Sequence, residues 1–209
     1  MSHPRTIVTR ASTKGAAKAV ATALGDDIPY AVVGGGACLL LGGQRLTDDI
    51  DVVVPRGCTP AARQLLKAAG TFAIEPRTRH TRHAATGVDI DVLAPPALFR
   101  GAFDAGTPTV TVDGVRVLHP RLLLGAKCGS MPGRASDGKK ITDGADIAFL
   151  LRYVCDNGIE LGVGDVPNAS GALIAYTVER QWVSQGLWVA AGFVVGGEFC
   201  ASLVAPERN

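Results

Sequence analysis

Residues 30–55 constrain the fold more than any other part of the chain. The stretch opens with a short apolar run of strand character, which ends at three consecutive glycines, Gly34, Gly35 and Gly36. A turn built on glycines can bring backbone N–H groups close to an anion. The apolar segment Ala37–Leu41 then has the length of a short helix, whose N-terminus would face the same anion. The stretch therefore predicts a strand, a phosphate-binding turn and a short helix in succession.

A pair of aspartates follows on a second predicted strand. Asp49 and Asp51 are two residues apart, so both carboxylates point to one side of the strand while Ile50 points to the core. Neighbouring carboxylates repel each other in the absence of a cation, and Mg²⁺ is commonly bound by one or two carboxylates together with substrate phosphates. The pair therefore favours a metal-bound nucleoside triphosphate, although carboxylates at a solvated strand end would show the same spacing. Residues 87–93 repeat the alternation, with Asp89 and Asp91 on one face.

The motifs G-G-x-A at Gly34–Ala37 and R-x-T-x-D-x-D at Arg45–Asp51, followed by a later acidic strand, resemble the core signature of the polymerase-β-like nucleotidyltransferase superfamily. The resemblance covers residues 15–156 and is closest to the small aminoglycoside-nucleotidyltransferase and AbiEii-like toxin branches. It implies an α/β (α+β) domain with a mixed β-sheet and flanking helices over residues 11–156. For residues 157–209 we expect a short helical or irregular extension.

The resemblance also implies roles for individual residues. The catalytic carboxylates would be Asp49, Asp51 and a third from the later strand, with Asp91 the first choice and Asp89 the second. All four are candidate ligands for two Mg²⁺ ions, with Mn²⁺ as an alternative. The residues expected to contact the nucleotide are Gly34, Gly35, Gly36, Arg45, Thr47, Lys127, Lys140 and Asp143.

The last three of these residues lie on helices predicted late in the chain. Lys127 follows the helix start at Pro120 and would lie near the phosphates, or would extend from an amphipathic helix into solvent. Lys140 and Asp143 are three residues apart in a pattern K-x-x-D-x-x-D-I, so they share one helix face. Asp143 would orient Lys140 toward a phosphate; a plain surface ion pair is the other interpretation.

The activity implied by the resemblance is transfer of a nucleoside monophosphate from a triphosphate to an acceptor hydroxyl, with release of pyrophosphate. A small-molecule acceptor is favoured. The alternatives are a toxin-like transferase acting on tRNA or protein, and an inactive descendant that binds a nucleotide or another ligand. The most basic stretch, Arg77–His83, could hold a triphosphate or RNA phosphates, or could be a solvated loop. The donor base and the acceptor stay open.

The composition favours a globular intracellular protein. Apolar residues make up 47% of the 209 residues and the net charge is +2, which gives no overall case for nucleic acid or an acidic membrane. The five cysteines form no C-x-x-C pair and the N-terminus lacks an apolar leader, so we expect reduced thiols and a cytoplasmic location. Residues 186–205 are apolar, but Glu198 and four glycines favour a packed hairpin or a poorly specified C-terminus over a membrane anchor. The oligomeric state stays open.

Hydrophobic periodicity predicts the remaining elements. A helix is expected over Ala11–Leu24, and another from Thr59–Pro60 to Ala69. Residues 107–118 alternate around Asp113–Gly114 and predict an edge hairpin. A short helix is expected around Ala97–Phe103. Helices between strands without long linkers favour a mixed α/β sheet.

Overall fold

The computed structural model describes residues 8–96, 99–162 and 164–195. The described residues form two compact units, which divide after Leu118. The domain boundary predicted after residue 156 therefore does not coincide with the division between the units, and it stays a prediction. No helix within the described ranges is long and apolar enough to cross a membrane.

The first unit contains a seven-stranded mixed sheet and three helices, counted over the described residues. Its elements in chain order are α1 (Arg10–Leu24), β1 (Ala31–Val33), α2 (Gly34–Leu40), β2 (Asp49–Val53), α3 (Thr59–Ala68), β3 (Phe72–Ile74), β4 (Thr81–His83), β5 (Asp89–Leu93), β6 (Thr109–Val112) and β7 (Val115–Leu118). The strand order is β3-β4-β5-β2-β1-β7-β6. β2 is parallel to β5 and β1 is parallel to β7, whereas the other neighbouring pairs are antiparallel. The predicted α/β fold class is confirmed.

Alternating burial on the two central strands gives the sheet one core face and one accessible face. Ile50 and Val52 on β2, and Ile90 and Val92 on β5, are at most 4% exposed, whereas the aspartates between them are half-buried or exposed. α1 and α3 pack against each other and against strands of the sheet. The alternation that predicts these strands therefore also separates the apolar core from the carboxylates.

The edge hairpin is confirmed. β6 and β7 pair antiparallel in the register Thr109↔Leu118. Asp113 and Gly114 both have positive φ, 51° and 82°, as the two-residue turn of a twisted hairpin requires. The helix predicted around 97–103 is wrong for Phe99–Phe103, which are irregular and include Gly101, a poor helix former; residues 97 and 98 lie outside the described ranges.

The second unit is built from helices and connecting loops over its described residues. It contains α4 (Pro120–Ser130), a 3₁₀ turn (Met131–Gly133), α5 (Asp137–Asp156), α6 (Gly171–Glu179) and α7 (Gln185–Ala190). α4 packs along α5, and α7 also contacts α5. α7 lies where a hairpin is predicted; the remainder of that segment, residues 196–205, lies outside the described residues. Trp188 on α7 is fully buried and meets Phe193 edge to face.

Candidate metal centre

Three carboxylates converge on the accessible face of the sheet. The parallel register of β2 and β5 places Asp51 directly opposite Asp91, with Asp49 two residues before Asp51 on the same face. One ligand oxygen from each of Asp49, Asp51 and Asp91 lies within 4.8 Å of the other two. Asp49 and Asp51 are half-buried and Asp91 is exposed. Three carboxylate oxygens at this spacing suit a hard divalent cation.

Thr47 orients the first of these carboxylates. Its hydroxyl donates a hydrogen bond of 2.6 Å to Asp49 Oδ1, and Thr47 is only 8% exposed. The Thr47 carbonyl in turn accepts a hydrogen bond of 3.3 Å from the hydroxyl of Thr13, which is fully buried on α1. Thr47 is predicted to contact the nucleotide. In the structure its hydroxyl is hydrogen-bonded to Asp49.

The fourth aspartate of the two strands, Asp89, is paired with basic side chains. Arg82 stands opposite Asp89 in the β4–β5 register, and its Nε lies 2.8 Å from Asp89 Oδ1. His80 Nε2 lies 3.2 Å from the same oxygen. The structure therefore places Asp91, the first choice for the third carboxylate, in the cluster and gives Asp89 other partners.

The cluster is electrostatically unfavourable in the absence of a cation. Partial desolvation of its carboxyl group, followed by the negative charges of Asp49 and Asp89, raises the pKa of Asp91 above its ordinary value. The positive charges of His80 and Arg63 oppose this shift but do not cancel it. A divalent cation between the three carboxylates would remove the repulsion, so the donor set fits a metal in both its chemistry and its charge.

We expect this repulsion to appear in the pH dependence of folding without metal. Because the pKa of Asp91 is higher in the folded chain than its ordinary 3.8, the folded state holds this proton more tightly than the unfolded state. The contribution of Asp91 to stability is therefore most favourable below pH 3.8 and is lost as the pH rises through the folded-state pKa. With EDTA present, Asp91→Asn should remove that loss and have a higher melting temperature than wild type at pH 7.

The matched control for this measurement is Asp48→Asn. Asp48 is exposed and adjoins the cluster in sequence, and its removal changes the formal charge by the same amount. Equal effects of the two substitutions on the melting curves from pH 3 to 8 would show that net charge, and not the cluster, is responsible.

The three glycines form the first turn of α2, which begins at Gly34 and not at Ala37 as predicted. Gly34 has a φ of 67°, and a Cβ at this position would collide with the Asp51 carboxylate. A Cβ on Gly35 would collide with the Arg45 guanidinium and would lie 3.2 Å from the Thr47 hydroxyl. Glycine is therefore needed here because charged and polar side chains lie directly over the start of the helix.

Gly34→Ala is expected to destabilise the protein more than Gly70→Ala. Gly70 has nearly the same φ, 70°, but a Cβ added there meets nothing within 4 Å. Its substitution should cost only the left-handed backbone strain, about 1–2 kcal/mol. Gly34→Ala adds overpacking against Asp51, which should cost about 1 kcal/mol of further stability. We expect this low value because the Asp51 side chain is half-buried and can shift. Urea unfolding of both variants measures the difference, and equal losses would contradict the close approach.

In the second unit, two of the predicted nucleotide contacts belong to a buried ionic network. Lys127 Nζ lies 3.0 Å from Asp143 Oδ1 and 2.7 Å from Asp146 Oδ2. Arg134 Nε lies 2.6 Å from Asp143 Oδ2, and the Ser130 hydroxyl donates to the same oxygen at 3.2 Å. Burial alone would raise the pKa of Asp143, but hydrogen bonds from Arg134 and the charge of Lys127 hold it below its ordinary value.

Lys140 lies outside this network and is oriented by a different residue from the one predicted. Its Nζ lies 3.6 Å from Asp137, one turn earlier on α5, while Asp143 accepts hydrogen bonds from Lys127 and Arg134. Contact of Lys127, Lys140 and Asp143 with a nucleotide stays a prediction.

Two charged residues of these sites are not anticipated from the sequence. Arg63, on α3, acts electrostatically on Asp91, but nothing in its sequence neighbourhood marks it. Asp146 is the second aspartate of the K-x-x-D-x-x-D pattern. Asp146 follows Asp143 by three residues, so the two aspartates are predicted to share one helix face. This spacing is the sequence signal that points to Asp146 as a neighbour of Asp143.

Comparison with solved structures identifies the fold. The sequence matches no protein-family model and no curated protein. The crystal structure of an antigenic nucleotidyltransferase-like protein from Paracoccidioides brasiliensis aligns with a TM-score of 0.62 and 24% identity, over 88% of this chain and 94% of that chain. The crystal structure of JHP933 from Helicobacter pylori aligns with a TM-score of 0.53 and 14% identity, over 89% and 82%. The predicted polymerase-β-like nucleotidyltransferase fold is thereby confirmed.

Proposed function

We propose that this chain, which has the nucleotidyltransferase fold, transfers a nucleoside monophosphate from a nucleoside triphosphate to an acceptor hydroxyl. The observation that carries the proposal is the convergence of Asp49, Asp51 and Asp91 within 4.8 Å, beside a glycine turn over which Arg45 lies. A site for a metal-bound triphosphate needs carboxylates to bind the metal and a backbone turn to bind the phosphates, and this unit contains candidates for both.

Asp49, Asp51 and Asp91 are the residues that would hold the metal. Mg²⁺ is the preferred ion, two ions are expected, and Mn²⁺ is an alternative with the same oxygen-ligand chemistry. Bound here, divalent cations would neutralise phosphate charge and lower the pKa of the acceptor hydroxyl. Thr47 holds Asp49 in position through the hydrogen bond of 2.6 Å, so it acts as a positioning residue.

The glycine turn and Arg45 would bind the triphosphate. Backbone N–H groups at Gly34, Gly35 and Gly36 are proposed to bind the β- and γ-phosphates, because a glycine turn at the start of a helix presents its N–H groups without Cβ atoms of its own. The Arg45 guanidinium passes close over Gly35, where it can balance the charge that develops on pyrophosphate. Both groups lie in the first unit, in which the three carboxylates also lie.

Asp91 is the residue proposed to receive the proton of the acceptor. Asp91 is the exposed carboxylate of the three, so it is the one that an acceptor hydroxyl can approach from solvent. The acceptor oxygen forms a bond to the α-phosphorus, and the bond from that phosphorus to the bridging oxygen of the β-phosphate breaks. Pyrophosphate leaves with the electron pair, and the hydroxyl proton passes to Asp91 and then to solvent.

We propose a small-molecule acceptor, held on the β3–β4 side of the cluster. An open surface depression of ≈ 350 Å³ lies at the β3–β4 hairpin and is lined by Ala73, Ile74, Glu75, His80 and Arg82. This volume is within the range of small-molecule sites. Two of its lining residues, His80 and Arg82, contact Asp89, the aspartate that stands opposite Asp49 in the β2–β5 register.

The experiment that tests the proposed function is a thermal-shift titration with each of the four NTPs, with and without Mg²⁺. A ligand that binds only the folded state stabilises it by about 2.7 kcal/mol at a hundredfold excess over its Kd. A shift that requires Mg²⁺ is expected and would identify the donor. Pyrophosphate release with mixed acceptors then tests turnover. Binding without turnover toward any acceptor would favour the inactive descendant, and no shift with any NTP would contradict the triphosphate site.

A further inference from the structure

The loop between α2 and β2, residues 41–48, carries both Arg45 and Thr47. Backbone hydrogen bonds that continue α2 reach Gly43, whose N–H donates to a carbonyl of that helix at 2.8 Å. Residues 44–48 then form no helix or strand before β2 begins. The position of Arg45 over the glycine turn therefore depends on contacts that this α2–β2 loop makes with other elements.

One arginine of α1 binds the backbone of this loop at two successive carbonyls. Arg10 Nη1 donates a hydrogen bond of 2.8 Å to Gly43 O, and Arg10 Nη2 donates one of 3.1 Å to Gln44 O. Nη2 also lies 3.4 Å from the side-chain oxygen of Gln44. A planar guanidinium group can hold two acceptors in a fixed geometry, and hydrogen bonds from a charged donor are stronger than neutral ones. Arg10 therefore fixes the backbone immediately before Arg45.

A second contact from α1 lies on the other side of Arg45. The Thr13 hydroxyl lies 3.3 Å from Thr47 O, and it also lies 3.1 Å from Thr9 O. A hydroxyl has one proton to donate, so these two carbonyls share it. Arg10 is therefore the stronger of these two contacts between α1 and the loop.

α1 gives Arg10 a fixed support. Its N-terminus is closed by a capping box, in which the side chains and backbone N–H groups of Thr9 and Ser12 bond each other. Its apolar face includes Ala16 and Val20, which are fully buried. A positive charge in the first turn of a helix is unfavourable beside the helix dipole. The stability of α1 alone therefore does not account for an arginine at this position.

We infer that Arg10 is a positioning residue for the triphosphate, because it holds the α2–β2 loop so that the Arg45 guanidinium lies over the glycine turn. The inference rests on the proposed function, in which Arg45 binds phosphate. Asp51 and Asp91 are placed by the β2–β5 register and not by this loop, so metal binding should not depend on Arg10. The expected consequence of losing Arg10 is weaker phosphate binding with unchanged metal affinity.

The test measures binding of inorganic tripolyphosphate with Mg²⁺, and of Mn²⁺ alone, by wild type and by Arg10→Gln. Tripolyphosphate has no base, so it reports on the phosphate contacts whichever NTP is the donor. We expect about tenfold weaker tripolyphosphate binding in Arg10→Gln, and the Mn²⁺ affinity of wild type. Lys18→Gln is the matched control, because it removes a positive charge from an exposed position of the same helix, and it should bind both probes as wild type does. Melting curves show whether each variant is folded.

A double-mutant cycle distinguishes positioning of Arg45 from a purely structural effect. If Arg10 acts through Arg45, then Arg10→Gln should weaken tripolyphosphate binding by less than about twofold when it is added to Arg45→Gln. Arg10→Lys keeps the charge but presents one nitrogen in place of the two that bind Gly43 and Gln44, so it should recover only part of the loss. Equal effects of Arg10→Gln in the two backgrounds, or wild-type binding in Arg10→Lys, would overturn the inference.

Backbone ¹⁵N relaxation of residues 43–47 in the absence of ligand separates this inference from the proposed function. Loss of the two hydrogen bonds should increase the fast motion of these residues in Arg10→Gln and leave it unchanged in Lys18→Gln. If wild type binds no tripolyphosphate although the loop is rigid only with Arg10, the loop contact stands and the proposed function fails. If wild type binds tripolyphosphate and Arg10→Gln binds it equally well, only the inference fails. An equally rigid loop in Arg10→Gln would also overturn the inference.

Discussion

Asp51→Asn is expected to abolish Mg²⁺-dependent binding of nucleoside triphosphates while leaving the protein folded. Asp51 stands opposite Asp91 in the β2–β5 register, so its loss removes a ligand from the middle of the carboxylate cluster. Loss of a residue that only supports a metal ligand typically lowers metal affinity or activity by about 10–100-fold. Loss of a ligand itself should cost more, so we expect nucleotidyl transfer to fall by at least about a hundredfold. The melting temperature without metal should be unchanged or higher, because asparagine fills the same space and one like charge is removed.

Asp48→Asn is the control for this prediction. It removes one exposed carboxylate next to the cluster, and it should keep both the Mg²⁺-dependent shift and the activity. The two measurements are the NTP thermal shift with and without Mg²⁺ and the rate of pyrophosphate release. Unfolding of Asp51→Asn without metal would make Asp51 a structural residue and would contradict its assignment as a metal ligand.

The carboxylate cluster could be predicted from the sequence because its geometry is local. Alternation on a strand places Asp49 and Asp51 on one face regardless of the rest of the fold. The same rule places Asp89 and Asp91 on one face, but it cannot say which of the two joins the cluster. That choice depends on the β2–β5 register, which sets Asp91 opposite Asp51, and on β4, which brings Arg82 opposite Asp89.

Charges that meet through tertiary packing could not be predicted in this way. Arg63 lies on α3 and acts electrostatically on Asp91 of β5, and no periodicity relates the two residues. The sequence around Lys127 indicates only a lysine on an amphipathic helix. In the structure, α4 packs along α5 and buries Lys127 between two aspartates. Helical spacing predicts which residues share a face, but it does not predict what that face meets.

The burial of Lys127 leads to the largest stability effect that we expect. Lys127 is 7% exposed, and its carboxylate partners Asp143 and Asp146 are 1% and 2% exposed. Lys127→Met would leave two buried carboxylates with one fewer positive charge beside them. Removing one partner from a buried ion pair typically costs about 3–5 kcal/mol, so we expect a loss of this size in urea unfolding at pH 7. Part of it should be recovered by adding Asp146→Asn, which removes the excess negative charge.

Lys140→Met separates this effect from the loss of any lysine in the same region. Lys140 is only partly buried and its partner Asp137 is 77% exposed, so the substitution should change the free energy of unfolding by less than about 1 kcal/mol. Unchanged stability of Lys127→Met, together with a lost NTP shift, would contradict the structural role and favour the predicted phosphate contact. A large loss of stability that Asp146→Asn partly restores would instead show that this lysine serves the second unit's own fold, because a missing phosphate contact cannot be compensated by removing a carboxylate.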